Sequence, residues 1–216
     1  MPSGMHRVLL LLLLGTVPCL ADITLIQELK NPSNGNQPTV LEMKIKGQKI
    51  RSDISKEASV IVDTSTGEVT TLMHQNKIAM KVPKALVDLA EAQAGVSKDL
   101  PPPKKTGRTE TINGFACEEY VTEQDGRKIS IWITQDAGDL EELIKQMDAV
   151  SSQANPLGKL FSAQKIKGFP VKTTIDMGTG GEISMTLISL KRDPLPESDF
   201  EIPSGYREMA MPMMGQ

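Results

Sequence analysis

Alternation of apolar and polar residues with a period of two, cut at short intervals by turn residues, constrains this chain more than any other feature. Leu41, Met43 and Ile45 interleave with Glu42, Lys44 and Lys46, and Ile78, Met80 and Val82 repeat the pattern. Successive side chains on a strand point to opposite faces, so such runs predict strands with one apolar face. The signal recurs at Ile23 to Lys30, Thr39 to Lys46, Lys49 to Ser55, Ser59 to Asp63, Val69 to His74 and Lys77 to Val82. It resumes at Arg108 to Ile112, Phe115 to Gln124 and Arg127 to Thr134, joined by Asn113-Gly114 and Asp125-Gly126, the strongest hairpin dipeptides. A last hairpin runs from Gly168 to Met177 and returns from Glu182 to Leu190. The expectation is a mainly β (α+β) fold: about eleven strands in meander order, forming a large antiparallel sheet that twists and coils.

Two segments break the period. After Pro83, Leu86, Leu89 and Ala90 fall at helical spacing among good helix formers, with Gly95 as a stop. After Asp139, a candidate N-cap, Leu140, Leu143, Ile144, Met147 and Val150 form one apolar stripe. These predict two helices, inserted after the sixth and ninth strands, that act as lids over the concave side of the sheet. The run Pro101-Pro102-Pro103 between helix and strand reads as a stiff connector or, alternatively, a polyproline recognition motif.

His6 and Arg7 precede the apolar run Val8 to Leu14, and Ala21 closes a small-x-small pattern, the form of a secretory signal peptide over residues 1–21. A competing reading makes Cys19 a lipidated N-terminus, but Thr16-Val17-Pro18 is a poor lipobox. The expected product is periplasmic or secreted, with a domain over 22–207 and a Met-rich flexible tail over 208–216. After cleavage Cys117 is alone, so no intramolecular disulfide forms. A reactive thiol needs a neighbouring cation or helix N-terminus, whereas Glu118 and Glu119 oppose the thiolate. Cys117 therefore reads as a packed side chain, with an intermolecular disulfide as the alternative.

A net charge of −3 without a concentrated basic face argues against nucleic acid as a partner. Only His74 survives cleavage of the leader, which leaves no two-histidine metal site. No G-x-S-x-G elbow is present either, and His74 reads as a solvent-facing strand end. The paired carboxylates Glu118-Glu119 and Glu141-Glu142 point apart and read as solubilising. Neither a catalytic residue nor a cofactor is expected. Met209, Met211, Met213 and Met214 place soft thioethers close together, the one pattern that suits Cu(I).

"KIRSDI", "TGRTETINGFACEEYVTEQDGRKISIWIT", "GFPVKTTID" and "PLPESDFEIPSGYREM" resemble the exported bacterial proteins grouped as domain of unknown function 4412, from about Lys44 to Met209. That group is similar to the LolA, LolB and LppX-like lipoprotein carriers. The resemblance implies an unclosed half-barrel whose helical lids cover an apolar cavity for acyl chains. It also offers Arg51 as the arginine that ties an early strand to the lid, beside the plainer reading of a surface arginine.

The resulting expectation is a monomeric, non-enzymatic protein that binds a lipid or lipoprotein acyl chain. Leu41, Met43, Ile45, Ile78, Met80, Ile131, Ile133, Val171, Ile175, Met185 and Leu187 would line the cavity. Leu86, Leu89, Leu140, Leu143, Ile144 and Met147 would face it from the lids. The alternative is a solidly packed cell-envelope module that binds a partner protein.

Overall fold

The computed structural model describes residues 22–82, 86, 101–124, 126–136 and 167–210. Six strands come first: β1 (Ile23–Lys30), β2 (Thr39–Lys46), β3 (Lys49–Asp53), β4 (Ala58–Asp63), β5 (Glu68–Met73) and β6 (Ile78–Val82). Then come β7 (Lys104–Ile112), β8 (Phe115–Gln124), β9 (Arg127–Thr134), β10 (Phe169–Asp176), β11 (Glu182–Lys191) and β12 (Arg207–Ala210). All twelve belong to one sheet in the order β12-β6-β5-β4-β3-β2-β1-β11-β10-β9-β8-β7. It is two antiparallel meanders, β1 to β6 and β7 to β11, welded where β1 pairs with β11. The sheet is not closed, since β12 and β7 are its two edges.

Local sequence explains the turns. Asn113 and Gly114 both take positive φ, 48° and 88°, the twist-matched geometry that makes Asn-Gly a hairpin signal. Gly168 enters β10 at φ 106°, and a Cβ there would collide with the Thr134 carbonyl and the Ile133 side chain. Only glycine lets the chain return this close to β9.

Three features differ from the sequence expectation. Among the described residues the strands number twelve rather than eleven, because 207–210 is a strand and not part of a flexible tail. Its backbone runs parallel to β6, with Arg207 opposite Ile78 and Ala210 opposite Lys81. The preceding Arg207 N–H donates to the Lys77 carbonyl at 2.8 Å, so the chain follows the free edge of β6, whose backbone groups need partners. Next, β7 begins at Lys104, immediately after the proline connector, with an irregular register between Lys105 and Thr109. Finally, the chain order is not a simple meander, since β11 pairs back onto β1. Of the expected lids, Leu89, Leu140, Leu143, Ile144 and Met147 lie outside the described residues; Leu86 has helical backbone and is half-buried.

The main core contains Leu25, Ile45, Ile50, Val62, Val69, Ile112, Cys117, Trp132, Phe169, Val171 and Leu187. A second cluster joins Ile129, Ile131 and Ile133, with Tyr120 and Ile175 against it, and a third joins Ile61, Leu72 and Ala79 beneath Ile202 and Tyr206. Bulges between Ile26 and Gln27 on the β1–β11 ladder and between Pro170 and Lys172 on the β9–β10 ladder break the strict alternation. Trp132 alternates away from Ile131 and Ile133, and it is Trp132 that joins Ile45, Val171 and Leu187.

Candidate functional site

Strand register builds a continuous row of side chains across six strands. Tyr120 lies opposite Ile131, Ile131 opposite Thr173, Thr173 opposite Met185, Met185 opposite Leu29, and Leu29 opposite Thr39. Directly opposed residues share a face, and adjacent strands lie about 4.8 Å apart, so the row spans roughly 24 Å. Beside it runs a second row, Thr122, Ile129, Ile175 and Ile183, and on the other side Leu187, Gln27 and Leu41. No member of these three rows is charged. The floor is buried, with Ile131 at 0% exposure and Thr173 at 5%, whereas Tyr120, Met185, Leu29, Leu41, Gln27, Ile175 and Ile183 are half-buried. Charge first appears at the β7 end of the central row, where Lys105 stands opposite Tyr120, and one row over at Glu118 opposite Ile133; the two are ion-paired at 2.7 Å.

The eleven cavity residues expected from sequence do not form one site. Ile131, Ile175 and Met185 meet in the rows just described, with Leu41 and Leu187 beside them and Ile133 one row over. Ile45 and Val171 are buried in the main core, which Leu187 also joins from its place in the third row, and Met43 packs against it. Ile78 and Met80, on β6 opposite Met73 and Thr71, lie near the far edge of the sheet. Bulges and the β1–β11 weld decide this distribution, and neither follows from alternation within one strand. Met209 sits opposite Met80 on β12 at 42% exposure, while Met211, Met213 and Met214 lie outside the described residues.

A polar network on β3 to β5 holds the C-terminal segment 195–206. Arg51 donates to Asp53 at 2.8 Å, to the Asp199 carbonyl at 3.0 Å and to Ser59 at 3.3 Å. Ser59, 1% exposed, donates its single proton to Asp53, so it accepts from His74 Nε2 at 2.7 Å. His74 Nδ1 in turn accepts from the Tyr206 hydroxyl at 2.6 Å. His74 is therefore half-buried with both ring nitrogens engaged, not a solvent-facing strand end. Ser59 thus ties Asp53 and Arg51 on β3 to His74 and, through it, to Tyr206, so that the arrangement latches the C-terminal segment to the sheet. Burial would raise the Asp53 pKa, but hydrogen bonds from Ser59 and Arg51 and the charges of Arg51 and Lys44 outweigh it and hold the carboxyl below its usual range. Lys44 binds Asp199 at 2.9 Å, and that hydrogen bond is the main cause of its raised pKa. Lys46 reaches both Asp22 and the Leu195 carbonyl at 2.9 Å. Every described partner of Arg51 is on β3, β4 or the C-terminal segment, none on a lid.

Sequence reasoning missed this network because its members are remote in the chain. It also misread Glu119, which is buried rather than solubilising: it accepts from Thr106 at 2.9 Å and pairs with Arg108 at 3.4 Å. Arg108 lies over the Trp132 ring, 5.4 Å from its centroid, as a cation–π partner. Cys117 is 2% exposed and donates to the Phe115 carbonyl at 3.3 Å. Burial raises its pKa, so the thiolate is suppressed. In the chain 22–216 a thiol reagent is expected to titrate essentially nothing in buffer and one thiol in guanidinium; rapid native labelling would contradict the packed assignment.

The model of a family described as Domain of unknown function (DUF4412) matches residues 29–206. No curated protein matches the chain. Two solved structures of PNGF-II, in C2 and P21 crystal forms, are similar over 90% and 89% of this chain, at 12% and 13% identity with a TM-score of 0.46. The chain spans 32% of the length of either PNGF-II chain.

Proposed function

We propose, from the premise that this chain belongs to the domain of unknown function 4412 family, that it is an exported, non-enzymatic protein that holds a lipid, acyl chain or other hydrophobic ligand. The ligand lies along the uncharged rows over β8, β9, β10, β11, β1 and β2. In this reading the open sheet is a half-barrel like that of the LolA-type carriers. The protein works as a monomer in the periplasm or outside the cell.

One observation carries the reading: adjoining rows with a buried floor and half-buried Met185, Leu29 and Leu41 along them, uncharged from β8 to β2. Half-buried methionine and leucine leave apolar area that a chain can still cover, at about 0.8 kcal/mol per buried methylene. Methionine adapts its shape to irregular partners. The alternative, a solidly packed envelope module, draws on the complete burial of Ile131 and Ile133.

Native mass spectrometry of the protein taken from its own envelope fraction is the test. A bound acyl species near one per chain is expected, and organic extraction identifies it. An apo mass together with refusal of pyrene-labelled alkyl probes of every head group would overturn the carrier reading in favour of the packed module.

A further inference from the structure

Pairing of β12 with β6 brings two thioethers together at one edge of the sheet. Met209 stands directly opposite Met80, one strand spacing away at about 4.8 Å, and opposed residues share a face. Among the described residues no other two methionines are opposed in the ladders. Met43 faces Leu25 and Ser52, Met73 faces Ala58 and Ile78, and Met185 faces Leu29 and Thr173. Met80 is half-buried and Met209 is 42% exposed, so the pair lies where a small ion has access.

The sequence then supplies more of the same group. β12 ends at Ala210, and Met211, Met213 and Met214 follow one to four residues further on. Four residues of extended chain reach about 14 Å, so these thioethers are tethered close to the Met80–Met209 pair.

Neighbouring groups decide which cation such a cluster takes. The residues in line with the pair, Val60, Thr71, Met80 and Met209, are uncharged, and the adjoining row carries a positive charge at Arg207 opposite Ile78. Glu208 and Lys81 alternate to the other face, where they are ion-paired at 2.9 Å. His74, the residue after Met73, has both ring nitrogens engaged by Ser59 and Tyr206. Calcium, magnesium and zinc require carboxylate, imidazole or thiolate ligands, and among the described residues none faces the pair. A thioether is neutral and polarisable and suits Cu(I), a soft ion that bonds to sulfur without a counter-charge.

We infer that Met80 and Met209 hold a Cu(I) ion at the β6–β12 edge together with a thioether from Met211, Met213 or Met214. The site lies on strands that the proposed ligand rows do not reach, so it stands or falls apart from the carrier reading. Metal held between the two strands fastens the end of the chain to β6.

The chain 22–216 is titrated with Cu(I) under argon in competition with bicinchoninate, beside Met80→Leu, Met209→Leu and a triple variant with Met211→Leu, Met213→Leu and Met214→Leu. One Cu(I) per chain is expected. Its affinity should be the same at pH 7.5 and pH 5.5, because a thioether has no proton to lose, whereas thiolate, imidazole and carboxylate sites weaken as protons compete. Leucine conserves the volume of methionine, and an unchanged urea midpoint checks the fold. Losing a ligand costs no less than losing a ligand's support, so each of the three variants should bind Cu(I) about tenfold more weakly or worse. In the unaltered chain Cu(I) should also slow hydrogen exchange of the Arg207–Ala210 amides, a readout that needs no variant. Affinity unchanged in any of the three variants overturns the site as stated; unchanged in Met80→Leu alone, it assigns the metal to the tail by itself. Affinity that collapses at pH 5.5, exchange at β12 that Cu(I) does not slow, or no uptake of Cu(I) at all overturns it as well.

Discussion

Replacing Arg51 with methionine is expected to lower the folding free energy of the chain 22–216 by about 3 kcal/mol at pH 7. The size follows from what the guanidinium does. It donates to Asp53, to the Asp199 carbonyl and to Ser59, so its loss strips a half-buried carboxylate of its charge partner and releases the turn at Glu197–Phe200 from β3. Methionine keeps much of the stem volume, which confines the effect to the polar contacts. The pH dependence tests the cause. In the unaltered chain Asp53 titrates below its usual 3.8. Its contribution is thus fully present above that value and disappears as the pH falls through the lower, folded-state value. In the variant burial remains but the Arg51 contributions vanish, so the Asp53 pKa rises and the loss of stability that this group causes on acidification shrinks. The gap between the two chains should then narrow as the pH falls below 3.8 and Asp53 is progressively protonated. Urea titrations between pH 7 and pH 2 read this directly, and a gap that stays constant across the range would mean that Arg51 does not act through Asp53.

The same latch shows where sequence reading stops. Alternation placed β2, β6, β8 and β9 within a residue or two, because each half-buried strand writes its own period and each Asn-Gly or Asp-Gly writes its own turn. The C-terminal segment has no such period. "FEIPSGYREM" gains its structure from Tyr206 on His74 and from Asp199 on Lys44 and Arg51, contacts between residues more than a hundred positions apart. β12 forms only because that segment delivers the chain to the edge of β6. The β1–β11 weld is equally silent locally, since neither strand's pattern specifies a partner so distant in sequence. The site suffers from the same gap. Ile131, Ile175 and Met185 were legible as apolar positions, but that they stand in adjoining rows around Thr173, and that Ile45 and Val171 pack with Trp132 instead, depends on ladders and bulges. A bulge changes which face the following residues occupy, so the period that identifies a strand cannot carry a face assignment past it.

Truncations at Leu25 and Met185 should separate core from site. Leu25 is 0% exposed on the central strand β1, opposite Met43 and Leu190, and belongs to the main core. Leu25→Ala removes buried methylenes where the sheet on both sides holds the backbone in place, so the cavity cannot collapse. The expected loss is about 4 kcal/mol, with no change in the relative affinities for alkyl probes. Met185 is half-buried on a neighbouring strand, and its flexible thioether has room to move. Met185→Ala should cost only about 1 kcal/mol of stability. It should weaken an alkyl probe by roughly 2 kcal/mol, about thirtyfold, because the methylenes that the probe covers are gone. Chemical denaturation and probe titration on the two variants give four numbers whose pattern decides between the readings. A ligand surface predicts opposite rankings for stability and affinity. If Met185→Ala instead costs as much stability as Leu25→Ala, the row is filled by the protein itself: Met185 then has a close-packed neighbour where the ligand should lie, and the sheet serves as a solid platform for a partner protein.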